Sequence, residues 1–263
     1  METKNQTALI TGASSGIGYE LAKLFAKDKF DLVLVARSEQ RLNEIAQELS
    51  AQYGVQTYVI AKDLATDTGA QEVYDETRRL GLTINILVND AGVGERGKFI
   101  ETDFEKDLEI IHLNIISLVH LTKLYLKEMT ARNEGRILQT ASIASYQPTP
   151  LLSVYAASKA FVLSFTDALI HELKGTNVTM TALIPGPTDT DFFNKANASD
   201  TVAAHHTDDP AMVAKEGYEA LFKGEHHAVV SAAVQAQVGM STILPNEAVS
   251  SMAAKYMKEE NKE

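Results

Sequence analysis

Two side chains that can exchange a proton lie four residues apart in this chain, the phenol of Tyr155 and the ammonium of Lys159. The surrounding segment has a helical period, so both residues share one face, one turn apart. A neighbouring ammonium favours the phenolate, and lowering a tyrosine pKa from about 10 towards neutrality takes about 4 kcal/mol. Such a tyrosine can give a proton to a carbonyl or remove one from an alcohol. The alternative is an ordinary pair on a helix surface.

A third candidate, Ser142, follows the fifth predicted strand, at the edge where a doubly wound sheet places its ligand crevice. Its hydroxyl could hydrogen-bond the reacting oxygen and stabilise the charge that develops there. The alternative for Ser142 is a turn or helix cap. A serine hydrolase is not indicated, because Ser142 lacks the Gly-x-Ser-x-Gly sequence of a nucleophile elbow.

A glycine-rich turn, Thr-Gly-x-x-x-Gly-x-Gly at residues 11–18, joins the first predicted strand to a helix. Glycines let a diphosphate approach the main chain, and the helix N-terminus offers N–H groups to that anion. The spacing differs from the common Gly-x-Gly-x-x-Gly motif, and a plain strand-to-helix turn is the alternative. The position in the first βα unit favours a phosphate loop. Its predicted cofactor contacts are Gly12, Ser14, Ser15, Gly16, Ile17 and Gly18.

The end of the second predicted strand indicates which dinucleotide is bound. An acidic residue there bonds the ribose of NAD(H), whereas an arginine accommodates the 2′-phosphate of NADP(H). This chain has Ala36, which offers no carboxylate, followed by Arg37, whose guanidinium suits a phosphate. A solvated surface arginine is the alternative, and Ser14 could add a hydroxyl to the same phosphate. We therefore expect NADP(H) rather than NAD(H).

The elements that position these residues alternate between two hydrophobic periods. Short apolar runs predict strands at 7–11, 31–36, 57–62, 85–89, 136–140, 178–184 and 227–231. Helical periods predict helices at 17–29, 40–53, 69–80, 103–132 and 154–174. Alternating strands and helices predict an α/β fold, a Rossmann-type doubly wound parallel sheet of about seven strands with helices on both faces. No repeat or linker interrupts residues 1–263, so we expect one domain.

Two segments break this alternation. Residues 187–209 form a long stretch rich in Asp, Asn, Thr and Ala, and such loops are usually functional, so we expect a small substrate lid. Near the end, Pro245 followed by Ala248, Met252 and Tyr256 suggests a short amphipathic helix. Residues 259–263 are expected to fray.

Composition excludes several classes of function. The chain of 263 residues has a net charge of −11, which argues against nucleic acid and against anionic membranes as partners. It has no cysteine, so disulfides and thiolate metal sites are excluded, which fits a reducing cytoplasm. Residues 1–7 lack the features of a signal peptide. The apolar stretch 110–126 contains His112, Asn114, His120 and Lys123 and is interpreted as a buried amphipathic helix.

Taken together, these motifs closely resemble the short-chain dehydrogenase/reductase superfamily, in its NADP-preferring branch of roughly 250 residues, and its general bacterial reductases in particular. The matching pieces occur in the family's order across nearly the whole chain. They are the loop at residues 11–18, Asp63-Leu64, Asn89-Asp90-Ala91-Gly92, Asn114, Ser142, Tyr155-x-x-x-Lys159, and Pro185-Gly186-Pro187-Thr188-x-Thr190. The family usually has a second asparagine where this chain has Asp90, and we expect that change to affect stability more than activity.

The resemblance implies an oxidoreductase that moves a hydride between NADP(H) and a carbonyl or alcohol, with Asn114, Ser142, Tyr155 and Lys159 as the catalytic set. Asn114 would hold a water that links Lys159 to solvent, and Lys159 would also bond the nicotinamide ribose. The remaining cofactor contacts would follow the strands that come after the second. They are Asp63 and Leu64 at the adenine, Asn89, Ala91 and Gly92 along the adenosine ribose, and Pro185, Gly186, Thr188 and Thr190 at the nicotinamide and phosphate region.

The substrate side of the site is expected beyond Ser142 and Tyr155. The further predicted contacts are Ala144, Gln147, Leu152, Phe192 and Phe193. The adjacent phenylalanines suggest an apolar substrate, although they could equally hold the lid on the core. The pairs His205-His206 and His226-His227 are not expected to bind metal, because adjacent histidines on a strand face opposite ways and no helical pair with a carboxylate accompanies them.

Fold alone does not determine function, so a second hypothesis is a non-catalytic NADP-binding sensor or scaffold. The intact set of Ser142, Tyr155 and Lys159 favours catalysis. The resemblance also implies a homodimer or homotetramer built through the long helices at 103–132 and 154–174.

Overall fold

A computed structural model describes residues 6–259 of the chain. Its centre is a seven-stranded sheet with the order β3-β2-β1-β4-β5-β6-β7, and every neighbouring pair is parallel. The strands are β1 (Thr7–Thr11), β2 (Asp31–Ala36), β3 (Thr57–Ala61), β4 (Ile84–Asn89), β5 (Gly135–Thr140), β6 (Val178–Ile184) and β7 (His227–Val229). The predicted doubly wound α/β fold is confirmed.

Helices cover both faces of this sheet. The α-helices are α1 (Gly16–Lys27), α2 (Glu39–Tyr53), α3 (Gly69–Arg79), α4 (Phe104–Ile111), α5 (Leu118–Arg132), α6 (Ser153–Glu172), α7 (Phe192–Lys195), α8 (Val202–His205), α9 (Pro210–Lys223), α10 (Ala232–Ile243) and α11 (Asn246–Tyr256). Helices α1, α2 and α9 pack one face through residues such as Leu21, Ile45 and Leu221. Helices α3, α5 and α6 pack the other, where Val73, Leu121 and Leu173 are buried.

The strands are apolar without alternation because both of their faces are covered. Leu32, Val33, Leu34 and Val35 are all completely buried. Even residues pack towards α1 and α2, odd residues towards α3 and α5, as the two-residue period of a strand requires. Burying a side chain of this kind contributes roughly 1.5 to 3 kcal/mol.

The predicted long helix at 103–132 is interrupted. It begins at Asp103, whose side chain caps it by accepting a hydrogen bond from the backbone N–H of Glu105 at 3.0 Å. Between α4 and α5 lies a π-helical segment, His112–Ser117. Such segments insert one residue into a helix and are common at functional sites. Asn114 lies in this segment, which also explains how a polar side chain is accommodated in an otherwise apolar stretch.

The last predicted strand is shorter than the apolar run suggests. It ends at Val229, and Ser231 adopts a left-handed backbone conformation with φ of +64°. That conformation ends extended structure, and the Ser231 hydroxyl then accepts a hydrogen bond from Val234 at the start of α10. Helices α9 and α10 have no counterpart among the predicted segments, whereas the predicted helix after Pro245 is present as α11.

The segment 187–209 is more regular than a loop. It contains α7 and α8, and an isolated bridge pairs Thr188 with Asp208 at its two ends. Its interior is a separate apolar cluster that includes Phe193, Ala203 and Met257. Glu259, expected to fray, forms a bridge with Thr201, so this residue is attached to the lid. The other residues of the expected frayed tail, 260–263, lie outside the described part.

Candidate active site

A cavity of about 610 Å³ lies at the carboxyl edge of the sheet. Loops that follow β1 to β6 line it, together with the lid and the last two helices. The sheet order reverses between β1 and β4, and ligands of doubly wound folds bind at such a switch point. The position of the cavity therefore follows from the topology.

The glycine-rich turn forms one wall of the cavity and leaves no room for side chains. Gly12 and Gly16 have φ angles of +72° and +57°, which favour glycine. A Cβ on Gly16 would lie 2.8 Å from the Cγ2 of Thr190, and one on Gly18 would lie 2.6 Å from the carbonyl oxygen of Gly12. The turn thus brings bare main chain and the N-terminus of α1 to the cavity, an arrangement that suits an anion.

The threonine that begins this motif holds the turn against the next loop. Thr11 Oγ1 accepts hydrogen bonds from the backbone N–H groups of Asp90 at 3.0 Å and Ala91 at 3.1 Å. It donates to the carbonyl oxygen of Val88 at 3.2 Å. The loops after β1 and β4 are therefore one hydrogen-bonded unit.

Arg37 and Asp63, two residues predicted at the adenosine end of the site, lie on the cavity wall, and each has a protein partner. Arg37 lines the cavity and forms an ion pair with Glu109 at 3.2 Å, with its side chain 56% exposed. Asp63 also lines the cavity and accepts a hydrogen bond from the backbone N–H of Ala65 at 2.9 Å. A ligand phosphate at Arg37 would compete with Glu109, which was not among the predicted residues.

Ser142, Tyr155 and Lys159 meet at the other end of the cavity. Ser142 and Lys159 are 7% and 5% exposed. The Ser142 hydroxyl hydrogen-bonds Tyr155 and also accepts from the backbone N–H of Ala144 at 3.1 Å, so it is both a partner of the phenol and a cap. Lys159 Nζ lies 5.8 Å from the centre of the Tyr155 ring and donates to the carbonyl oxygen of Thr140 at 2.7 Å.

The pKa of Tyr155 moves opposite to the expected direction. Burial raises it to about 12, because the phenolate is poorly solvated there; the hydrogen bond with Ser142 lowers it, and the charge of Asp90 raises it further. Burial also lowers the pKa of Lys159 to about 8, which the charge of Asp90 opposes. Desolvation is therefore the larger effect in the chain alone, and the expected tuning of Tyr155 by Lys159 stays a prediction for the complex with cofactor.

Asn114 lies behind this pair rather than on the cavity wall. Its amide donates to the carbonyl oxygen of Val93 and to Ser158 Oγ, both at 3.0 Å, and its Oδ1 accepts from the N–H of Val93, also at 3.0 Å. Both amide hydrogens thus have protein partners. Gly92 lies beside both groups: a Cβ on it would be 3.4 Å from Asn114 Oδ1 and from Lys159 Nζ, an ordinary contact distance.

The lid packs directly on the tyrosine. The rings of Phe192 and Tyr155 lie 4.9 Å apart between centres. A Cβ on Gly94 would lie 2.8 Å from the Phe192 ring, so this close packing requires glycine there. Phe193 instead turns into the lid cluster, where it is 9% exposed. The two phenylalanines therefore differ: Phe192 faces the reaction centre, while Phe193 mainly holds the lid together.

Most predicted site residues line the cavity, and three do not. The predicted residues on its wall are Gly12, Ser14, Ser15, Gly16, Ile17, Arg37, Asp63, Leu64, Ala91, Gly92, Ser142, Ala144, Gln147, Leu152, Tyr155, Lys159, Pro185, Gly186, Thr188, Thr190, Phe192 and Phe193. Gly18 and Asn114 lie behind the wall. Asn89 was wrongly placed: its amide points into the core, donating to Thr122 at 3.1 Å and Gln139 at 3.0 Å, since alternate strand residues face opposite ways.

Some cavity residues were missed because distant segments bring them there. Tyr256 and Met257 come from the end of α11 and the turn after it. Gln237 of α10 donates a hydrogen bond to Gln147 at 3.2 Å. No local motif marks these positions. Asp90, in contrast, lies within a quoted motif, and its departure from the family's asparagine was the available signal.

Within residues 6–259, no three His, Cys, Asp or Glu side chains are grouped so that they could hold a metal ion. His227 pairs with Asp167 at 2.6 Å. None of the helices in that same range combines the length and apolarity needed to cross a membrane.

Comparison with known proteins agrees with this geometry. A family model described as short chain dehydrogenase matches residues 6–201. A very-long-chain 3-oxoacyl-CoA reductase of Anas platyrhynchos is 38% identical over 184 residues, which cover 68% of this chain and 58% of that protein. The match thus spans less than two thirds of the longer relative. An uncharacterized oxidoreductase of Bacillus subtilis (strain 168) is 32% identical over 189 residues, covering 72% and 70%.

Solved structures show the same fold. A short-chain dehydrogenase from Sphingobium yanoikuyae in complex with NADPH has a TM-score of 0.81 and 28% identity, covering 91% of this chain and 96% of that one. A short-chain dehydrogenase/reductase from Burkholderia phymatum in complex with NAD has a TM-score of 0.83 and 25% identity, covering 91% and 93%. With the matching family model and the architecture described above, these similarities lead to one conclusion: the chain belongs to the short-chain dehydrogenase/reductase family of oxidoreductases.

Proposed function

We propose that this protein reduces a carbonyl compound, or oxidises the corresponding alcohol, with NADP(H) as the hydride carrier and Tyr155 as the proton donor or acceptor. The observation that carries the proposal is the placement of Ser142, Tyr155 and Lys159 in one cavity whose opposite wall is the glycine-rich turn. A dinucleotide bound along this cavity would supply or accept the hydride next to the phenol.

The cradle at the glycine-rich turn fits a dinucleotide. Gly12 and Gly16 keep side chains away from the main chain, and α1 begins at Gly16 with its N–H groups directed to the cavity end. Ser14, Ser15 and Ile17 line the same wall. These residues would hold the diphosphate through their backbone and hydroxyl groups.

Arg37 supports NADP(H) over NAD(H). It lies on the cavity wall after β2, beside Ala36, and no carboxylate takes the place of Ala36 to bond a free ribose hydroxyl. Of the two related structures described above, one was solved with NADPH and the other with NAD, so the family alone does not decide. The guanidinium of Arg37, with Ser14 nearby on the same wall, would bind the 2′-phosphate.

The remaining cofactor contacts follow from the cavity wall. Asp63 and Leu64 would border the adenine, and Ala91 and Gly92 the adenosine ribose. Near the nicotinamide, the loop after β6 would contribute a further set of contacts. These are Pro185, Gly186, Thr188 and Thr190.

The protonation states of the site favour the reductive direction. With its pKa raised to about 12, Tyr155 carries its proton at neutral pH and can donate it to a carbonyl oxygen. Lys159, with a pKa of about 8, is mostly an ammonium at pH 7. Ser142 would hydrogen-bond the same substrate oxygen and stabilise its developing charge. Asn114 fixes the backbone of Val93 next to this pair, and its predicted role in holding a water stays a prediction.

The substrate would be a small-molecule carbonyl or alcohol compound with an apolar portion. Leu152, Phe192 and Ala144 give the wall beyond Tyr155 an apolar character, and Gln147 adds a polar group. A relative that matches this chain over part of its length is a very-long-chain 3-oxoacyl-CoA reductase, which is compatible with such a surface.

We further propose that chains pair through α5, its preceding π-helical segment and α6, where Ile116 and Phe161 are 43% and 41% exposed.

The decisive test is the loss of absorbance at 340 nm when NADPH is mixed with a panel of aldehydes, ketones and quinones, using Tyr155→Phe as the control. General acid catalysis contributes about 100- to 10,000-fold, so the variant should lose activity by that factor while still binding NADPH. Equal rates in both proteins, with tight NADPH binding, would instead favour a non-catalytic sensor or scaffold.

A further inference from the structure

A buried carboxylate, Asp90, lies beside the proposed catalytic pair. It occupies the second position of the Asn-Asp-Ala-Gly sequence after β4 and lines the cavity. Its neighbours belong to separate elements of the site: the glycine-rich turn, the end of β5, and Lys159. A buried charge is costly unless it is paired and hydrogen-bonded, so its presence here requires a reason.

The carboxylate of Asp90 has two hydrogen-bond donors. Oδ1 accepts from the hydroxyl of Thr140 at 2.8 Å. The backbone of Gly18 also donates to the carboxylate, and a Cβ on Gly18 would lie 2.8 Å from Oδ2. Since Gly18 lies in the first turn of α1, the carboxylate also meets the positive end of that helix.

Thr140 links Asp90 to Lys159. The hydroxyl of Thr140 donates to Asp90, while its carbonyl oxygen accepts a hydrogen bond from Lys159 Nζ at 2.7 Å. One residue at the end of β5 therefore holds the carboxylate and the ammonium near each other. Burial raises the pKa of Asp90 above its ordinary value and lowers that of Lys159 to about 8, and the attraction between their opposite charges opposes both shifts.

The other groups packed around Lys159 are uncharged at neutral pH. The π-helical segment contributes the amide of Asn114, β5 contributes the carbonyl of Thr140, and α6 contributes the phenol of Tyr155. Within the described part of the chain, Asp90 is the one charge that shifts the pKa of Lys159. The same charge also opposes ionisation of Tyr155.

We propose that Asp90 is a positioning residue that provides the counter-charge of Lys159 and keeps Tyr155 and Lys159 in the doubly protonated state needed to reduce a carbonyl. The role of the doubly protonated state in carbonyl reduction rests on the proposed function, whereas the pairing of Asp90 with Lys159 does not. It assigns Asp90 a role in activity, in addition to the effect on stability expected from the sequence.

Asp90→Asn removes the charge with little change of shape. The amide oxygen can accept from Gly18 while the amide nitrogen donates to the Thr140 hydroxyl, which is able to act as donor or acceptor. The substitution therefore keeps both hydrogen bonds and tests the charge alone. Thermal unfolding of the variant checks that the fold is retained.

The experiment follows the titration of Lys159 by NMR in protein labelled with 13C-lysine, with the signal assigned from Lys159→Arg. A nearby opposite charge shifts a pKa by about 1 to 3 units, so the Lys159 midpoint should fall by at least about 1 pH unit in Asp90→Asn. The alkaline limb of the pH profile of kcat for carbonyl reduction should move to lower pH by the same amount. A purely structural role would change amplitude without moving either midpoint.

An unchanged Lys159 midpoint in folded Asp90→Asn would overturn the proposal, because the carboxyl would then be neutral or uncoupled. If that variant does not fold, Thr140→Val tests the same link by removing a donor to the carboxylate, and the Lys159 midpoint should still fall. No shift there overturns the proposal as well. The NMR titration needs no turnover, so a protein inactive on every carbonyl would refute the proposed function while leaving the Asp90–Lys159 pairing separately tested.

Discussion

The two ends of the cavity are built in different ways. At the glycine-rich turn, β1, α1 and the loop after β4 meet through main-chain groups and the hydroxyl of Thr11. At the lid, segments from remote parts of the chain meet. The guanidinium of Arg96 donates hydrogen bonds to both Asp200 and Met257. The glycine-rich turn leaves no room for substitution because main-chain atoms fill the space. The lid is held by side chains, so substitutions there should cost less stability.

This difference suggests that the two ends of the cavity bind different ligands. A turn that binds through main-chain groups suits a ligand that is the same in every member of a family. A wall made of side chains from the lid and α11 suits a substrate that differs between members. Substitutions at the turn should therefore affect cofactor binding, and substitutions at the lid should affect the apparent affinity for substrate.

Gly18→Ala should have the largest effect of the substitutions that compare the two ends. Its Cβ would lie 2.6 Å from the Gly12 carbonyl oxygen, and neither main chain can move freely. Overpacking of this kind costs about 1 to 3 kcal/mol, which corresponds to roughly 5- to 150-fold in the Kd of NADPH if the turn shifts. Fluorescence titration with NADPH measures this change.

Gly239→Ala is the matched control for that variant, because a Cβ there, on helix α10, meets nothing within 4 Å. It should leave the Kd of NADPH unchanged. Equal Kd values for wild type and Gly18→Ala would show that the turn tolerates a side chain, and the contrast between the two ends would disappear.

Arg37→Ala should have an effect of similar size, but confined to one cofactor. A hydrogen bond to a charged group contributes about 1.5 to 3 kcal/mol, so the Kd of NADPH should rise by roughly 10- to 150-fold while that of NADH stays nearly constant. Arg41→Ala, on α2 and paired with Glu44 at 3.2 Å, is the control and should change neither. Similar losses for both cofactors would contradict a 2′-phosphate contact at Arg37.

Arg96→Gln should have the smallest effect, and at the opposite end. Arg96 donates to the carbonyl oxygen of Met257 at 3.1 Å and pairs with Asp200 at 3.0 Å, so it holds the lid to the end of α11. Losing about 1 kcal/mol of stabilisation from these contacts should raise the KM for a carbonyl substrate roughly fivefold, with the Kd of NADPH unchanged.

Lys98→Gln serves as the control for the lid, since Lys98 is 68% exposed and pairs only locally with Glu101 at 3.1 Å. Its KM should match wild type. A larger change in the Kd of NADPH than in KM for Arg96→Gln would mean that the lid acts on the cofactor end, and the proposed division would be wrong.

The hydrophobic periods of the sequence were sufficient to predict most of the strands of the sheet. Three strands, β1, β2 and β6, have the predicted bounds, because strands buried on both faces must be apolar throughout. The π-helical segment at Asn114 was not predicted, because one extra residue in a single turn shifts the apolar pattern too little to be recognised in an already apolar stretch. Helices α9 and α10 were missed for a different reason: α9 directly follows a segment with the composition of a loop, and α10 buries only Val234 of its twelve residues, so no apolar stripe marks it.

The sequence by itself determined the motifs in which neighbouring residues act together: the glycine-rich turn, the pair Tyr155 and Lys159 one helical turn apart, and the parallel sheet that aligns them. Only the tertiary structure decided the quantities that depend on burial and on distant contacts. It showed that desolvation, rather than the lysine, dominates the pKa of Tyr155, that Asn89 faces the core, and that Asp90 meets Lys159 through Thr140. Spacing sets which side chains share a face, but their solvation and charges depend on everything packed around them.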